Sequence, residues 1–210
     1  MQRFDFIPGQ FVSLTVSLGM TPVGERRITR AYSICSPPSG NRFELCLNRV
    51  KTGLLSPRLF ELQPGDEVEM KGPVGYFTIR RPESDLLMVA TGTGIAPMRA
   101  MIPHWLRHGG TSRCVLIQGA RYEKTLLYRD EWKRLAEDHT NFHFWPTLSR
   151  PHSGWTGRAG HVQAHLMEAV GERRDLDVYV CGLKAMVDDV RALLKNKGFD
   201  RQRIIHEKYD

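Results

Sequence analysis

The feature that most constrains this chain is a change of hydrophobic period near Pro82. Before it, short apolar–polar alternations are separated by glycines and prolines; after it, strand-length apolar runs alternate with helical patterns. A two-residue period suits a strand with one buried face and a 3.6-residue period suits a helix, and one segment cannot satisfy both. The chain therefore reads as two units, residues 1–82 and 83–210.

In the first unit, Phe11–Val16 and Phe43–Asn48 alternate, and Asp66–Met70 does so more weakly. Pro8-Gly9, Pro37-Pro38-Ser39-Gly40, Pro64-Gly65 and Gly72-Pro73 punctuate them as turns. Short strands spaced this way predict a small antiparallel barrel or sandwich. In the second unit, strand-like runs at 86–90, 114–118, 142–147, 177–181 and 203–208 alternate with helical stretches. Glu123–His139 and Leu183–Lys197 each gather apolar residues on one face, and Gly198 stands where a helix C-cap belongs. That order predicts an α/β doubly wound parallel sheet, with its ligand at the carboxyl ends of the strands.

Composition narrows the function. Lys+Arg number 30 against 23 Asp+Glu, a net charge of +7, yet no basic run reaches five residues. Nucleic-acid binding is therefore the least favoured class, and the charge points to an acidic partner. The cysteines at 35, 46, 114 and 181 have no spacing for zinc, a CxxC pair or an iron–sulfur cluster, so no metal is expected. No apolar run approaches the ~18 residues needed to span a bilayer. The start lacks a signal-peptide layout, so the expectation is a cytoplasmic protein that does not enter a membrane.

Val89-Ala90-Thr91-Gly92-Thr93-Gly94-Ile95-Ala96-Pro97 follows a buried strand and opens a helix. Glycines there let a backbone approach a pyrophosphate, and the helix start offers free N–H groups. Pro97 suits the first helical turn. The next strand ends in Gln118-Gly119-Ala120-Arg121, without the acidic residue that would hold a ribose 2′-hydroxyl; an arginine favours a phosphate. Pro103 falls inside the helix, so a kink or break is expected.

Several segments occur together in order: Arg30-Ala31-Tyr32-Ser33, Gly53-Leu54-Leu55-Ser56, Gly72-Pro73-Val74-Gly75, Gly92–Pro97, Cys181–Met186 and Glu207-Lys208-Tyr209. Over almost its whole length the chain resembles the ferredoxin–NADP reductase family, especially the plant-type branch. The resemblance implies a two-domain α+β fold, an antiparallel Greek-key β-barrel binding FAD (1–82) followed by the NAD(P)-binding sheet (83–210). It implies that Arg30 holds the FAD pyrophosphate, that Tyr32 stacks on the flavin and that Ser33 bonds near its reactive nitrogen. Gly53, Leu54, Leu55 and Ser56 would complete the pyrophosphate site, Cys46, Leu47 and Asn48 would line the flavin nucleotide, and Thr91 is also assigned to FAD. Only Val50, Lys51 and Thr52 fill the space of the plant members' longer adenine loop. Gly92, Thr93, Gly94, Ile95, Pro97, Gly182, Leu183 and Met186 would hold the nicotinamide nucleotide. Cys181 and Glu207 match residues beside the nicotinamide, and Tyr209 matches the aromatic covering the flavin, with Asp210 following it here. With Ser33, these three form the expected catalytic set.

Ser149-Arg150 resembles the family's pair for the 2′-phosphate of NADP(H), with Arg121 and Arg158 adding charge and His161 near the adenine; NAD(H) stays open, because NADH-using relatives share Ser-Arg-Pro. The chain starts at what resembles the family's second barrel strand. The expectation is that the partner or another chain supplies the first strand, that the barrel is open, or that the sequence is a natural truncation; an exposed edge invites pairing with a second copy, a homodimer through that edge. The function so implied is an NADPH-dependent reductase serving an acidic one-electron carrier, ferredoxin or flavodoxin. Two alternatives are an NADH-using oxygenase reductase component or flavin reductase, and a non-catalytic FAD-binding electron-transfer subunit.

Overall fold

A computed structural model describes residues 3–209. Among them, β1 (Phe11–Thr21), β2 (Gly24–Ser33) and β3 (Glu69–Val74) form an antiparallel sheet in the order β2-β1-β3. Val12 and Leu14 of β1 point into a core with Phe6 and Ile34, and Tyr32, Phe43, Leu45 and Met70 pack against it. A short helix, α1 (Ser56–Leu59), lies between β2 and β3.

Two expectations for this half need correction. Phe43–Asn48 is not a strand; its only ladder contact among the described residues is the isolated bridge Ile34↔Leu45. Its alternation records Phe43 and Leu45 turned toward the core from a loop. The strand placed at 66–70 starts at Glu69 and runs on to Val74.

The second half is a parallel sheet in the order β7-β6-β5-β4-β8-β9. Its strands are β4 (Leu86–Thr91), β5 (Cys114–Ala120), β6 (Phe142–Leu148), β7 (Arg158–Ala159), β8 (Asp177–Leu183) and β9 (Ile204–Tyr209), and its helices α2 (Ile95–Arg107), α3 (Arg129–Asp138), α4 (Leu166–Val170) and α5 (Lys184–Asn196). Successive residues of a strand face opposite sides, so Leu86, Met88 and Ala90 join α2 and α3 in one core. Leu87 and Val89 join α4 and α5 in the other. Helices on both faces explain why these strands are continuously apolar. The doubly wound sheet is as expected.

The segment 123–139 is not one helix. Glu123–Thr125 is a 3-10 turn, and α3 begins only at Arg129, after Tyr128 in a left-handed conformation at φ +58°. Pro103 does not break α2. Proline there removes one helical donor, while burial of Met98, Met101, Ile102, Trp105 and Leu106 holds the turns on either side. At the end of α5, Phe199 N–H donates to the Leu194 carbonyl and Gly198 N–H to the Lys195 carbonyl, both at 3.1 Å. Gly198 takes φ +84° to permit this Schellman cap.

The halves are tied together. The Arg80 backbone N–H donates to the Tyr179 hydroxyl at 2.9 Å and Trp105 Nε1 to the Pro82 carbonyl at 2.9 Å. No helix of the described residues is long and apolar enough to cross a membrane.

Candidate active site

The crossover from β4 to β5 runs one way along the sheet, and β8 lies on the other side of β4. Between the carboxyl ends of β4 and β8 the chain therefore opens a crevice, the usual ligand position of such sheets. Gly92–Gly94 forms a 3-10 turn there, leading into α2. A Cβ on Gly94 would strike the Cys181 carbonyl and lie 2.7 Å from Gly182 N. Gly182, at φ +146°, faces the Thr91 hydroxyl and Met186. Only glycine permits both approaches.

β9 lies beside β8 with Cys181 opposite Glu207 and Leu183 opposite Tyr209. From the antiparallel half, the end of β2 reaches the same place. Ser33 Oγ donates to Glu207 Oε1 at 3.0 Å and lies 2.5 Å from the Tyr209 hydroxyl. Burial raises the Glu207 carboxyl above the usual carboxylate range, opposed by the Ser33 hydrogen bond. Burial, reinforced by Glu207, also raises the Cys181 thiol well above its ordinary value and keeps it protonated.

Ser33, Glu207 and Tyr209 border a cleft of about 840 Å³ between the halves, whereas Cys181 is fully buried behind them and does not line it. Of the sequence-predicted residues, Arg30, Tyr32, Ser33, Cys46, Asn48, Gly53, Leu54, Leu55, Ser56, Thr93, Glu207 and Tyr209 line it. Leu47 does not. Thr91 stands on the nucleotide side, against Gly182, and its buried Oγ1 has no hydrogen-bond partner. Ser56 Oγ accepts from Val50 N–H at 3.0 Å, fixing the loop that carries Gly53.

The residues expected at a 2′-phosphate lie at the ends of β5 and β6. Ser149 and Arg150 N–H groups donate to the Ala120 and Arg121 carbonyls, each at 3.0 Å, which brings Arg121 and Arg150 side by side. Arg150 reaches the Tyr122 hydroxyl at 3.4 Å and depresses its pKa. Arg158 is committed elsewhere: it pairs with both Glu168 oxygens, at 2.5 and 2.6 Å, and stacks 3.8 Å over Trp145. His161 is exposed at the start of a 3-10 turn.

An oxidoreductase FAD-binding domain model matches residues 1–79 and an oxidoreductase NAD-binding domain model matches residues 88–192. The chain is 41% identical over its full length to ferredoxin–NADP reductase B of Sorangium cellulosum (strain So ce56), and covers 87% of that protein. The chain belongs to the ferredoxin–NADP reductase family. It is 32% identical to the phenol 2-monooxygenase reductase component of Pseudomonas sp. (strain CF600), over 86% of this chain but only 53% of that protein. A crystal structure of a ferredoxin NADP+ reductase from Neisseria gonorrhoeae with bound FAD and NADP shares the fold, with TM-score 0.83 and 23% identity over 98% of this chain and 87% of that one.

A member of the ferredoxin–NADP reductase family carries FAD and uses a nicotinamide nucleotide, and this cleft fits those groups. Arg30 lines it with no carboxylate partner among the described residues, its NH1 bonded only to the Thr29 carbonyl at 2.8 Å. The guanidinium is thus available to a pyrophosphate. The half-buried Tyr32 offers an aromatic face, and Thr91 Oγ1 offers an unused polar atom beside Gly182. Phe11, Ile28, Ala31 and Lys208, to which the sequence assigned no role, also line the cleft, as do Val50 and Thr52 of the short loop. Phe11 was readable only as a strand residue, and Ile28 sits in a strand with no buried alternation.

Proposed function

We propose that residues 1–82 hold FAD, that residues 83–210 hold NADPH, and that this cytoplasmic protein passes electrons between NADPH and an acidic one-electron carrier such as ferredoxin or flavodoxin. The observation that carries this reading is the meeting of Ser33 with Glu207 and Tyr209 at the mouth of a cleft bordered by Arg30 and Tyr32. FAD supplies the chemistry that links two-electron hydride exchange to one-electron transfer. The chain's own residues bind, orient and handle the proton. Arg30 and the Gly53–Ser56 turn would take the pyrophosphate, and Tyr32 would pack its ring against the flavin. Tyr209, held 2.5 Å from Ser33 Oγ, would lie where the flavin and the nicotinamide meet. Glu207, which accepts from Ser33 Oγ, sets a carboxyl whose affinity for a proton is raised by burial beside that contact. Arg121, Ser149 and Arg150 favour the extra phosphate of NADPH. The net charge of +7 steers an acidic carrier.

A second reading, an NADH-using reductase component of an oxygenase, is supported by the likeness to the phenol 2-monooxygenase reductase component. The absorption spectrum of the purified protein separates the two. Flavin bands bleached by NADPH far faster than by NADH support the first, and the reverse preference supports the second. A colourless protein that takes up no FAD removes both.

A further inference from the structure

Arg99 lies on α2, just beyond the Gly92–Gly94 turn, and only 16% of its side chain is exposed. Its Nε donates to both Glu131 carboxylate oxygens, at 3.0 and 2.9 Å. Its NH1 donates to the Cys35 carbonyl at 2.9 Å and to Glu44 Oε2 at 2.5 Å. The guanidinium also stacks 4.4 Å over the Tyr128 ring. Tyr128 takes the left-handed conformation at φ +58°, which bulky residues rarely adopt. Its hydroxyl meets Cys35 Sγ at 3.8 Å. One fork-shaped cation thus grips the parallel half through Nε and the antiparallel half through NH1.

The position of that grip matters. Cys35 is two residues past Ser33, and Ser33 is the group that meets Glu207 and Tyr209. The parallel half therefore holds residues 33–35 from two sides, with β9 touching Ser33 and α2 touching Cys35. Ile34 between them is fully buried, and its N–H donates to the Gln10 carbonyl at 3.0 Å. Residues 33, 34 and 35 are therefore held at three successive positions. Lysine, with a single compact ammonium, cannot make the Glu131 fork and the Cys35 contact together.

We propose that Arg99 is a positioning residue for hydride transfer: by tying the Cys35 carbonyl to α2, it sets where Ser33 stands relative to Glu207 and Tyr209. This rests on the function proposed above. It assigns Arg99 no contact with nucleotide or flavin.

The test uses FAD-loaded full-length protein and compares wild type with Arg99→Lys, Arg99→Met and Glu44→Gln. Single-turnover bleaching by NADPH is measured per bound flavin, beside NADPH affinity and melting temperature. Small misalignments of reacting groups are costly, so both Arg99 variants should bleach about tenfold more slowly per bound flavin, or worse, with NADPH affinity unchanged. Arg99→Lys should retain more rate than Arg99→Met, and Glu44→Gln should fall in the same direction by less. If Arg99→Met does not fold, the other two variants carry the test. A lower melting temperature with an unchanged rate per bound flavin in Arg99→Lys and Glu44→Gln would overturn the inference, because a merely structural role gives that pattern. Wild type that neither takes up FAD nor bleaches would instead overturn the functional reading, and this inference with it.

Discussion

The Ser33 hydroxyl donates to the Glu207 carboxylate at 3.0 Å across 174 residues of sequence. It is a contact between the end of an antiparallel strand and the last strand of a parallel sheet. The bond gives Glu207 a polar partner where burial otherwise disfavours its charge. Glu207→Ala should slow hydride transfer by about 100-fold while FAD stays bound, as loss of a positioned proton carrier does. Stopped-flow bleaching and flavin content measure the two effects separately, and unaltered turnover would leave Glu207 a structural role only.

A pH dependence of stability follows from the same residue. Burial raises the Glu207 carboxyl in the folded chain, so the folded state holds this proton more tightly than the unfolded state does. The resulting stabilisation is complete below the unfolded carboxyl's value, ~4.3. It is lost as pH rises through the folded value. Glutamine does not titrate, so the melting temperature of Glu207→Gln minus that of wild type should increase from pH 5 to pH 8. A constant difference across that range would mean that folding does not perturb this carboxyl.

Nucleotide preference should reside where β5 and β6 end. Replacing Ser149 and Arg150 together by alanine removes a hydroxyl and a guanidinium from the expected 2′-phosphate site. Hydrogen bonds to charged groups contribute about 1.5–3 kcal/mol each, so losing two should raise the KM for NADPH by about two orders of magnitude or more. The KM for NADH should barely move. Equal losses for both nucleotides would show that the phosphate contact lies elsewhere.

How much of this was legible in the sequence depended on burial. The strands of the parallel sheet are covered on both faces, so Leu86–Ala90 and Val178–Cys181 announce themselves as apolar runs. β2 is exposed along most of Gly24–Arg30, and its pairing with β1 leaves little trace in hydrophobicity. Glu123–His139 read as one helix because its apolar spacing is helical; the left-handed Tyr128 that splits it serves the contacts with Arg99 and Cys35. Arg99 itself was unreadable. A lone arginine on an apolar helix resembles a surface charge, and its partners Cys35, Glu44 and Glu131 are brought to it only by the tertiary fold. The motif residues were legible because glycine spacing encodes close approach directly, as at Gly94 and Gly182.

Gly92 and Gly182 allow a graded test of the nucleotide crevice. Gly92 has φ +55° with open space around a built Cβ, so Gly92→Ala should cost only backbone strain, about 1–2 kcal/mol. At Gly182 a Cβ adds steric conflict, meeting the Thr91 hydroxyl and coming within 2.9 Å of Met186 Cε. Overpacking adds about 1–3 kcal/mol. Gly182→Ala should therefore melt lower than Gly92→Ala and bind NADPH more weakly, by thermal unfolding and fluorescence titration. The opposite ranking would mean that the β4–β8 crevice is roomier than described.

Stability should depend strongly on a carboxylate remote from the cleft. Asp177, at the start of β8, is fully buried. It accepts from Arg81 Nε at 2.9 Å, from Arg81 NH2 at 2.6 Å and from Arg203 NH1 at 3.0 Å. Arg81 lies at the junction of the halves, and Arg203 leads into β9, the strand carrying Glu207. Removing one partner from such a cluster typically destabilises by 3–5 kcal/mol, since the remaining charges lose their compensation. Asp177→Ala should approach the lower end, about 3 kcal/mol, because Arg81 and Arg203 are partly solvated and retain hydration. Arg81→Met should cost less, because Arg203 still neutralises the buried carboxylate. Urea unfolding would show both as lower midpoints with unchanged slope, and Arg81→Met proving the more damaging variant would refute this account of the cluster.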